Sequence, residues 1–237
     1  MSDVKYANTL LQSFDTELID RLRLKSVAFK VGHEIESPGK PVKHLFFLEA
    51  GMASMTTTFK NGTEVEVGMF GYESVIGVSA LMGTKQSLNR VYTQIAGWGY
   101  RCRFEIAAAE FGRCGPFQRI TLRYVQAQLV QAAQSTGCNA EHSYEQRLAR
   151  WLLICADRVH GNQFKMSQEF LSHMLGSTRP TVTLSAGRLK KEKLITYERA
   201  EIAIVDRKGL EKRACECYGV IKQHLDDFAA FDSGDTK

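Results

Sequence analysis

The sequence predicts an α+β chain: an N-terminal barrel or roll of short strands, one long helix, and a C-terminal set of short helices with a strand pair. Three observations carry this. Segments such as "HLFFLEA", "MASMTTTF" and "TEVEVGMF" are short and strand-like, with glycine-containing turns between them. The stretch from Phe117 to Thr136 contains neither Gly nor Pro. The segment "SQEFLSHMLGSTRPTVTLSAGRLKKEKLI" holds two apolar-periodic runs broken by Gly-Ser-Thr, and the second run ends in lysines. The expected divisions are residues 1–116, 117–137 and 138–237.

In the first division a short helix is expected over Phe14 to Leu24, ahead of the strands. Turns are placed at Pro38-Gly39, Gly51, Asn61-Gly62, Gly68, Gly71 and Gly77. Asn61-Gly62 is the clearest hairpin signal, because both residue types tolerate the positive φ of a type I′ turn. Strands so short and so regularly spaced favour a closed roll over a parallel sheet.

From Phe117 the pattern changes to a helical one. Leu122, Val125, Leu129 and Ala132 fall at spacings of three, four and three, one narrow apolar seam on a helix of about five turns. Gln126, Gln128, Gln131 and Gln134 cover the rest of the surface. Such a seam is expected to join two copies of the chain. Gly137 is expected to end this helix. A second helix is expected from about Ala140, with Leu148, Trp151, Leu152 and Cys155 pointing one way and Gly161-Asn162 stopping it. "LITYERAEIAIVD" reads as two strands around a turn near Arg199. A last helix is expected from about Lys208, fading into a disordered tail, "DSGDTK".

Composition narrows the function. The chain of 237 residues has a net charge of only +5, so no global field announces a polyanionic partner. The local balance differs: His160 to Ile195 carries six Lys/Arg against two Asp/Glu. Six scattered cysteines without a C-x-x-C pair, no leader-like N-terminus and no apolar run of about 18 residues read as a cytoplasmic protein with reduced thiols. No P-loop, G-x-S-x-G or H-E-x-x-H occurs, so no enzyme is expected.

The Gly-Ser-Thr break is where function becomes legible. Ser167 can cap the first short helix, with Glu169 in its first turn. Phe170, Leu171, Met174 and Leu175 give that helix a buried face. Gly176 makes the turn, Ser177 or Thr178 caps the next helix, and Pro180 sits in its first turn, where a missing N–H costs nothing. Val182, Ala186 and Leu189 face inward. Two short helices around a tight turn, with a helix before and a strand pair after, describe a winged helix-turn-helix. A helix that enters a major groove about 12 Å wide must leave one face undressed. Thr181, Thr183 and Ser185 are small enough to let phosphates and base edges approach. Arg179 can place a guanidinium fork on guanine O6 and N7, while Arg188, Lys190, Lys191 and Lys193 flank the helix as phosphate contacts.

At these residues the sequence resembles the Crp/Fnr family of bacterial transcription regulators, over nearly the whole chain. The blocks that carry the resemblance are "VGHEIESPGKPVKHLFFLEAGMASM" with "GMFGYESVIGVSALMG", the long helix from Phe117, and "MSQEFLSHMLGSTRPTVTLSAGRLKKEKLI". The resemblance implies a cyclic-nucleotide-binding-like β-roll (a double-stranded β-helix) that senses an effector. It also implies a homodimer joined through the long helices, and two recognition helices on double-stranded DNA. RNA polymerase is a further candidate partner, although nothing in the sequence marks a surface for it.

Family members typically read bases with R-E-x-x-x-R. Here Arg179 matches the first Arg, Pro180 replaces the Glu and Leu184 falls at the second Arg. The DNA-binding set is therefore Ser167, Thr178, Arg179, Thr181, Thr183, Arg188, Lys190 and Lys191. Members that bind cyclic AMP hold its ribose with a Glu after the roll glycine and its phosphate with an Arg-Ser pair. Gly77 is that glycine, but Val78 replaces the Glu, with Ser79 next. Arg90 stands nearest the phosphate arginine's place across a longer loop, and Val91 follows it instead of Ser. A valine cannot accept the ribose hydroxyls, so the usual cyclic AMP mode is not expected and the effector is unknown. With no cysteine before Cys102, an N-terminal iron–sulfur group is not expected either. His33, His44 and Cys102 are the side chains that could offer a haem ligand.

Two smaller patterns remain. Cys138 and His142, at i and i+4, could share a metal on one helical face, but two ligands do not close a site and no metal is assigned. Cys215 and Cys217, placed on the last helix, point to different faces there and read as packing or surface thiols. A competing function is a small-ligand or cyclic-nucleotide signalling module whose terminal helices dock on protein. A docking helix of that kind would carry an apolar anchor where this one is rich in threonine.

Overall fold

The computed structural model describes residues 5–230, and the tail read as disordered lies outside them. The chain forms two compact units that do not follow the serial order of the sequence. Among the described residues, one holds 5–55, 69–129 and 225–230; the other holds 56–68 and 130–224.

In the first unit, two short helices come first, α1 (Thr9–Gln12) and α2 (Thr16–Leu22), where one was expected. Asn8 explains the extra helix. Its side-chain oxygen accepts from the backbone N–H of Leu10 and Leu11, while its amide donates to the carbonyls of Leu48 and Ser74 at 3.1 and 2.9 Å. Six strands follow: β1 (Lys25–Phe29), β2 (Glu34–Glu36), β3 (His44–Thr58), β4 (Glu64–Phe70), β5 (Val75–Ile76) and β6 (Arg90–Arg103). They form one sheet in the order β1-β6-β3-β4, with β2 on β6 and β5 on β3. Leu45, Phe47, Val75, Ile76 and Val91 bury their side chains with Leu10, Leu18 and Leu22 of the helices above.

"HLFFLEA" and "MASMTTTF" are not two strands but one, and Gly51 is not a turn. It adopts φ +88° in mid-strand, and a Cβ there would come within 2.7 Å of the Ile95 carbonyl oxygen. Facing it, a Cβ on Gly97 would meet the Ala50 carbonyl oxygen at 1.9 Å. The two glycines let the backbones of β3 and β6 approach. Gly97→Ala is therefore expected to destabilise the roll by about 1–3 kcal/mol in urea unfolding, as an overpacked site does.

The Asn61-Gly62 hairpin forms between β3 and β4, but through a five-residue connection rather than a two-residue one. The Phe59 N–H donates to Thr63 O at 2.8 Å and only Gly62 takes positive φ. After β6 come α3 (Phe104–Phe111) and the long helix α4 (Pro116–Glu141). Phe117, Ile120 and Tyr124 of α4 pack into the roll core. Gly137 does not end α4: a helical glycine costs about 1 kcal/mol relative to alanine, and buried Cys138 beyond it anchors another turn.

The second unit is built on α5 (Tyr144–Arg158), whose start is set later than expected by a Ser143 cap and its reciprocal Gln146 bond. Leu148, Trp151, Leu152 and Cys155 are all buried, as their spacing requires. Then come β7 (Gln163–Lys165), α6 (Gln168–Met174), α7 (Arg179–Lys191), β8 (Ile195–Glu198) and β9 (Glu201–Ile204). The strand pair gains a third member, in the order β7-β9-β8. Arg199 and Ala200 make its tight turn with φ of 50° and 65°. The single terminal helix is in fact two, α8 (Arg207–Arg213) and α9 (Cys217–Ala230), because Ala214 turns extended at ψ 155°. The β3–β4 tip belongs to this unit: Trp151 Nε1 donates to Glu66 at 2.8 Å.

Candidate nucleic-acid interface

α6 and α7 form the helix-turn-helix. The Ser167 hydroxyl accepts from the Phe170 N–H at 3.1 Å, which fixes the start of α6. Leu171, Met174 and Leu175 are buried beneath it, and Phe170 is half-buried. Gly176 takes the left-handed conformation that closes the turn (φ 56°). Thr178 stands at the N-cap of α7 but makes no cap bond; its hydroxyl meets that of Thr181 at 2.9 Å.

α7 divides cleanly by burial. Val182, Ala186 and Leu189 are interred, and so is Ser185, which the sequence suggested as an outward-facing polar residue. Ser185 stands three residues after Val182 and one before Ala186, so it shares their face. Facing out are Thr178, Arg179, Pro180, Thr183, Leu184, Gly187, Arg188, Lys190 and Lys191, with Thr181 half-covered. Thr183 is partly engaged, donating to Gln168 Oε1 at 2.9 Å and lying 3.0 Å from the Arg179 carbonyl.

The cations differ in what holds them. Arg188 reaches Glu145 at 3.4 Å and Lys190 reaches Glu198 at 3.1 Å. The guanidinium of Arg179, on the first turn, and the ammonium of Lys191, on the last, have no ion pair among the described residues. Leu184 is 67% exposed, the one large apolar side chain on this face. The sequence put it at the place of the family's second base-reading arginine but gave it no role.

Gly187 also has an open surround, with nothing within 4 Å of a built Cβ. Gly187→Ala should therefore raise stability by up to about 1 kcal/mol in thermal or urea unfolding. If a groove wall lies against that face, the same change lowers duplex affinity, so stability and binding move in opposite directions.

The long-helix seam is open as well. Leu122 and Leu129 are 45% and 66% exposed, and Val125 and Ala132 are half-covered. Neighbouring Ile120, Tyr124 and Ala127 are buried. The helix thus carries two apolar faces, one of them without a cover among the described residues of the single chain.

In the roll, the candidate effector residues do not gather around one space. Val78 and Val91 are core residues, Ser79 is half-buried, and Arg90 pairs with Glu34 at 2.9 Å and lies over the Tyr92 ring. The cavity found there, about 250 Å³, is lined by Glu36, Lys40, Val42, His44, Phe46 and Ser87 among others. Gly77 touches this region through its N–H, which with the Ser87 hydroxyl donates to Glu36. Burial pushes the Glu36 carboxyl up from its ordinary range, against those two bonds. Glu36 and Ser87 are brought together by bonds between segments distant in the chain, among them those of Ser87 with Gly39 and Lys40, which no local motif could signal. His44 lines the cavity, while Cys102 is a core thiol pushed up to about 12 by burial.

Residues 146–213 match the Crp-like helix-turn-helix domain. The chain is 26% identical over 218 residues to the global nitrogen regulator of Synechococcus elongatus, a match covering 87% of this chain and 97% of that one. Its fold is similar to that of FixK2 from Bradyrhizobium japonicum, with a TM-score of 0.70 at 15% identity over 81% of this chain and 98% of that one. A Crp/Fnr-family regulator from Thermus thermophilus gives a TM-score of 0.66 at 21% identity, covering 80% and 98%. The chain thus carries a Crp-like helix-turn-helix domain over residues 146–213, and its antiparallel roll and long helix share the fold of Crp/Fnr-family transcription regulators.

Proposed function

We propose that the protein acts as a cytoplasmic homodimer, joined along Leu122, Val125, Leu129 and Ala132, that places α7 of each subunit in successive major grooves of a near-palindromic operator. The observation that carries this reading is the division of α7. One side is a complete core face, and the other presents Arg179, without an ion pair, at the leading turn and lysine at the trailing one. Arg179 reads guanine through its fork, and Leu184 packs on a thymine methyl, the apolar contact that a major groove offers. Thr178, Thr181, Lys191 and the exposed Arg199 at the strand turn contact phosphate. Ser167, Thr183, Arg188 and Lys190 contribute by exchanging their present partners for phosphate oxygens. Among the described residues no helix is long and apolar enough to cross a membrane.

The roll takes an effector in a mode other than that of cyclic AMP-binding members. Val78 lies in the core, Arg90 is paired with Glu34, and the Glu36 carboxylate lines the cavity, where it would repel a phosphate. Effector binding there would act on DNA affinity through the seam of α4, as a coupling between two sites.

Titration of the full chain against duplexes at rising salt tests the reading. A selected operator should bind at least about a thousandfold tighter than random duplex, with log K falling steeply against log salt. Equal affinity for every duplex would overturn it.

A further inference from the structure

The two cysteine patterns that looked separate in the sequence form one cluster. Cys138 near the end of α4, His142 just past it, Cys215 in the α8–α9 turn and Cys217 at the start of α9 offer four donor atoms within 4.8 Å of one another. The turn at Ala214 removes Cys215 from the helix, so the two thiols of Cys-x-Cys converge instead of diverging. Cys138, Cys215 and Cys217 are buried to 3% exposure or less.

The spacings suit one ion. A zinc-type tetrahedron, with bonds of about 2.3 Å to sulfur and about 2.0–2.1 Å to nitrogen, has edges of about 3.8 Å between sulfurs and about 3.6 Å from sulfur to nitrogen. Cys138 Sγ lies 3.4 Å from Cys215 Sγ, and Cys217 Sγ lies 3.6 Å from His142 Nδ1. All six cysteines are free thiols, and 3.4 Å is far beyond the roughly 2.05 Å of a disulfide.

The surroundings are those of a metal site too. His142 Nε2 sits 3.2 Å from the Glu216 carboxylate, which holds the ring proton there and leaves the Nδ1 lone pair facing the thiols. Gln134 Nε2 donates to Cys217 Sγ at 3.0 Å, a bond suited to a thiolate. Buried Arg150 acts electrostatically on Cys138 and Cys215, and its Nε has no hydrogen-bond partner. Three thiolates and a divalent ion leave one negative charge, which that guanidinium balances.

We propose that Cys138, His142, Cys215 and Cys217 form a closed, mononuclear tetrahedral site for a thiophilic divalent ion, zinc in the first instance. On binding, the three thiols release their protons to solvent. The ion clips the end of α4 to the start of α9. Cys138 and Cys215 are 77 residues apart, so the clip closes a loop that contains the helix-turn-helix and its strands. The site stands independently of whether Arg179 reads DNA.

The test uses the full chain, isolated reduced and without chelator, and then exchanged into cobalt(II). Elemental analysis should find one zinc per chain. Cobalt should give intense tetrahedral ligand-field bands and thiolate charge-transfer, saturating at one equivalent, displaced by zinc, with a raised melting temperature. Glu216→Gln should weaken binding about 10–100-fold, as loss of a ligand-orienting partner does. Cys215→Ser should abolish the one-equivalent endpoint, and exposed Cys114→Ser should change nothing. The proposal is overturned if folded wild-type protein binds no cobalt with these bands, or gives an iron–sulfur spectrum. It is overturned equally if the isolated chain is metal-free, carries a Cys138–Cys215 disulfide and takes up no cobalt after reduction, or if Cys215→Ser titrates like wild type.

Discussion

Leu129→Asp is expected to leave the subunit folded and to break the dimer. The side chain is 66% exposed in the single chain, so its replacement removes little internal packing. In the proposed seam it is buried twice, once from each helix. Burying a leucine contributes about 1.5–3 kcal/mol, so two copies contribute about 3–6 kcal/mol, before the cost of burying two carboxylates. The dimer should weaken at least about a hundredfold, by the rule of about 1.4 kcal/mol per factor of ten. Sedimentation or native mass spectrometry reads the subunit number, and circular dichroism checks that the helix content is kept. Duplex affinity should collapse with the dimer, because one recognition helix holds half of a palindromic site. A variant that stays dimeric would place the interface elsewhere.

Arg179→Ala and Lys191→Ala are expected to differ in kind. A bidentate arginine–guanine contact is worth about 1–3 kcal/mol of discrimination, so removing it from both half-sites should cost about 2–6 kcal/mol on the operator. Random duplex should lose far less, and the preference for one base pair per half-site should disappear. Lys191→Ala should weaken all duplexes alike and reduce the salt slope by about one for each contact removed. Arg179 makes no ion pair among the described residues and lies on the exposed face, so a loss of affinity on its removal cannot come from a broken ion pair within the fold.

Much of the binding head was legible because its signals are local. Ser167, Gly176, Pro180 and the Val182–Ala186–Leu189 spacing each act within a turn or two of chain. Ser185 misled because small polar residues are compatible with either side of a helix, and its burial follows from its angle relative to Val182. In the roll, Gly51 read as a turn because its other use, a close strand crossing, depends on Gly97 in a distant strand. Gly137 read as a helix end, yet the buried thiol after it outweighs the modest cost of a helical glycine. The cavity around Glu36 is assembled by tertiary contacts, and so is the cluster of Cys138, His142, Cys215 and Cys217: the i, i+4 spacing of Cys138 and His142 showed half of it, and nothing along the chain brings Cys215 and Cys217 to that half.

The claim on which the rest stands is that the exposed face of α7 enters the major groove through Arg179. Methylation interference at guanine N7, with a selected operator and the wild-type and Arg179→Ala proteins, addresses it most directly. The account predicts interfering guanines in two symmetric patches about one helical turn, roughly 34 Å, apart, with the signal lost in the variant. A wild-type pattern without major-groove guanines, or one that Arg179→Ala leaves unchanged, would contradict it.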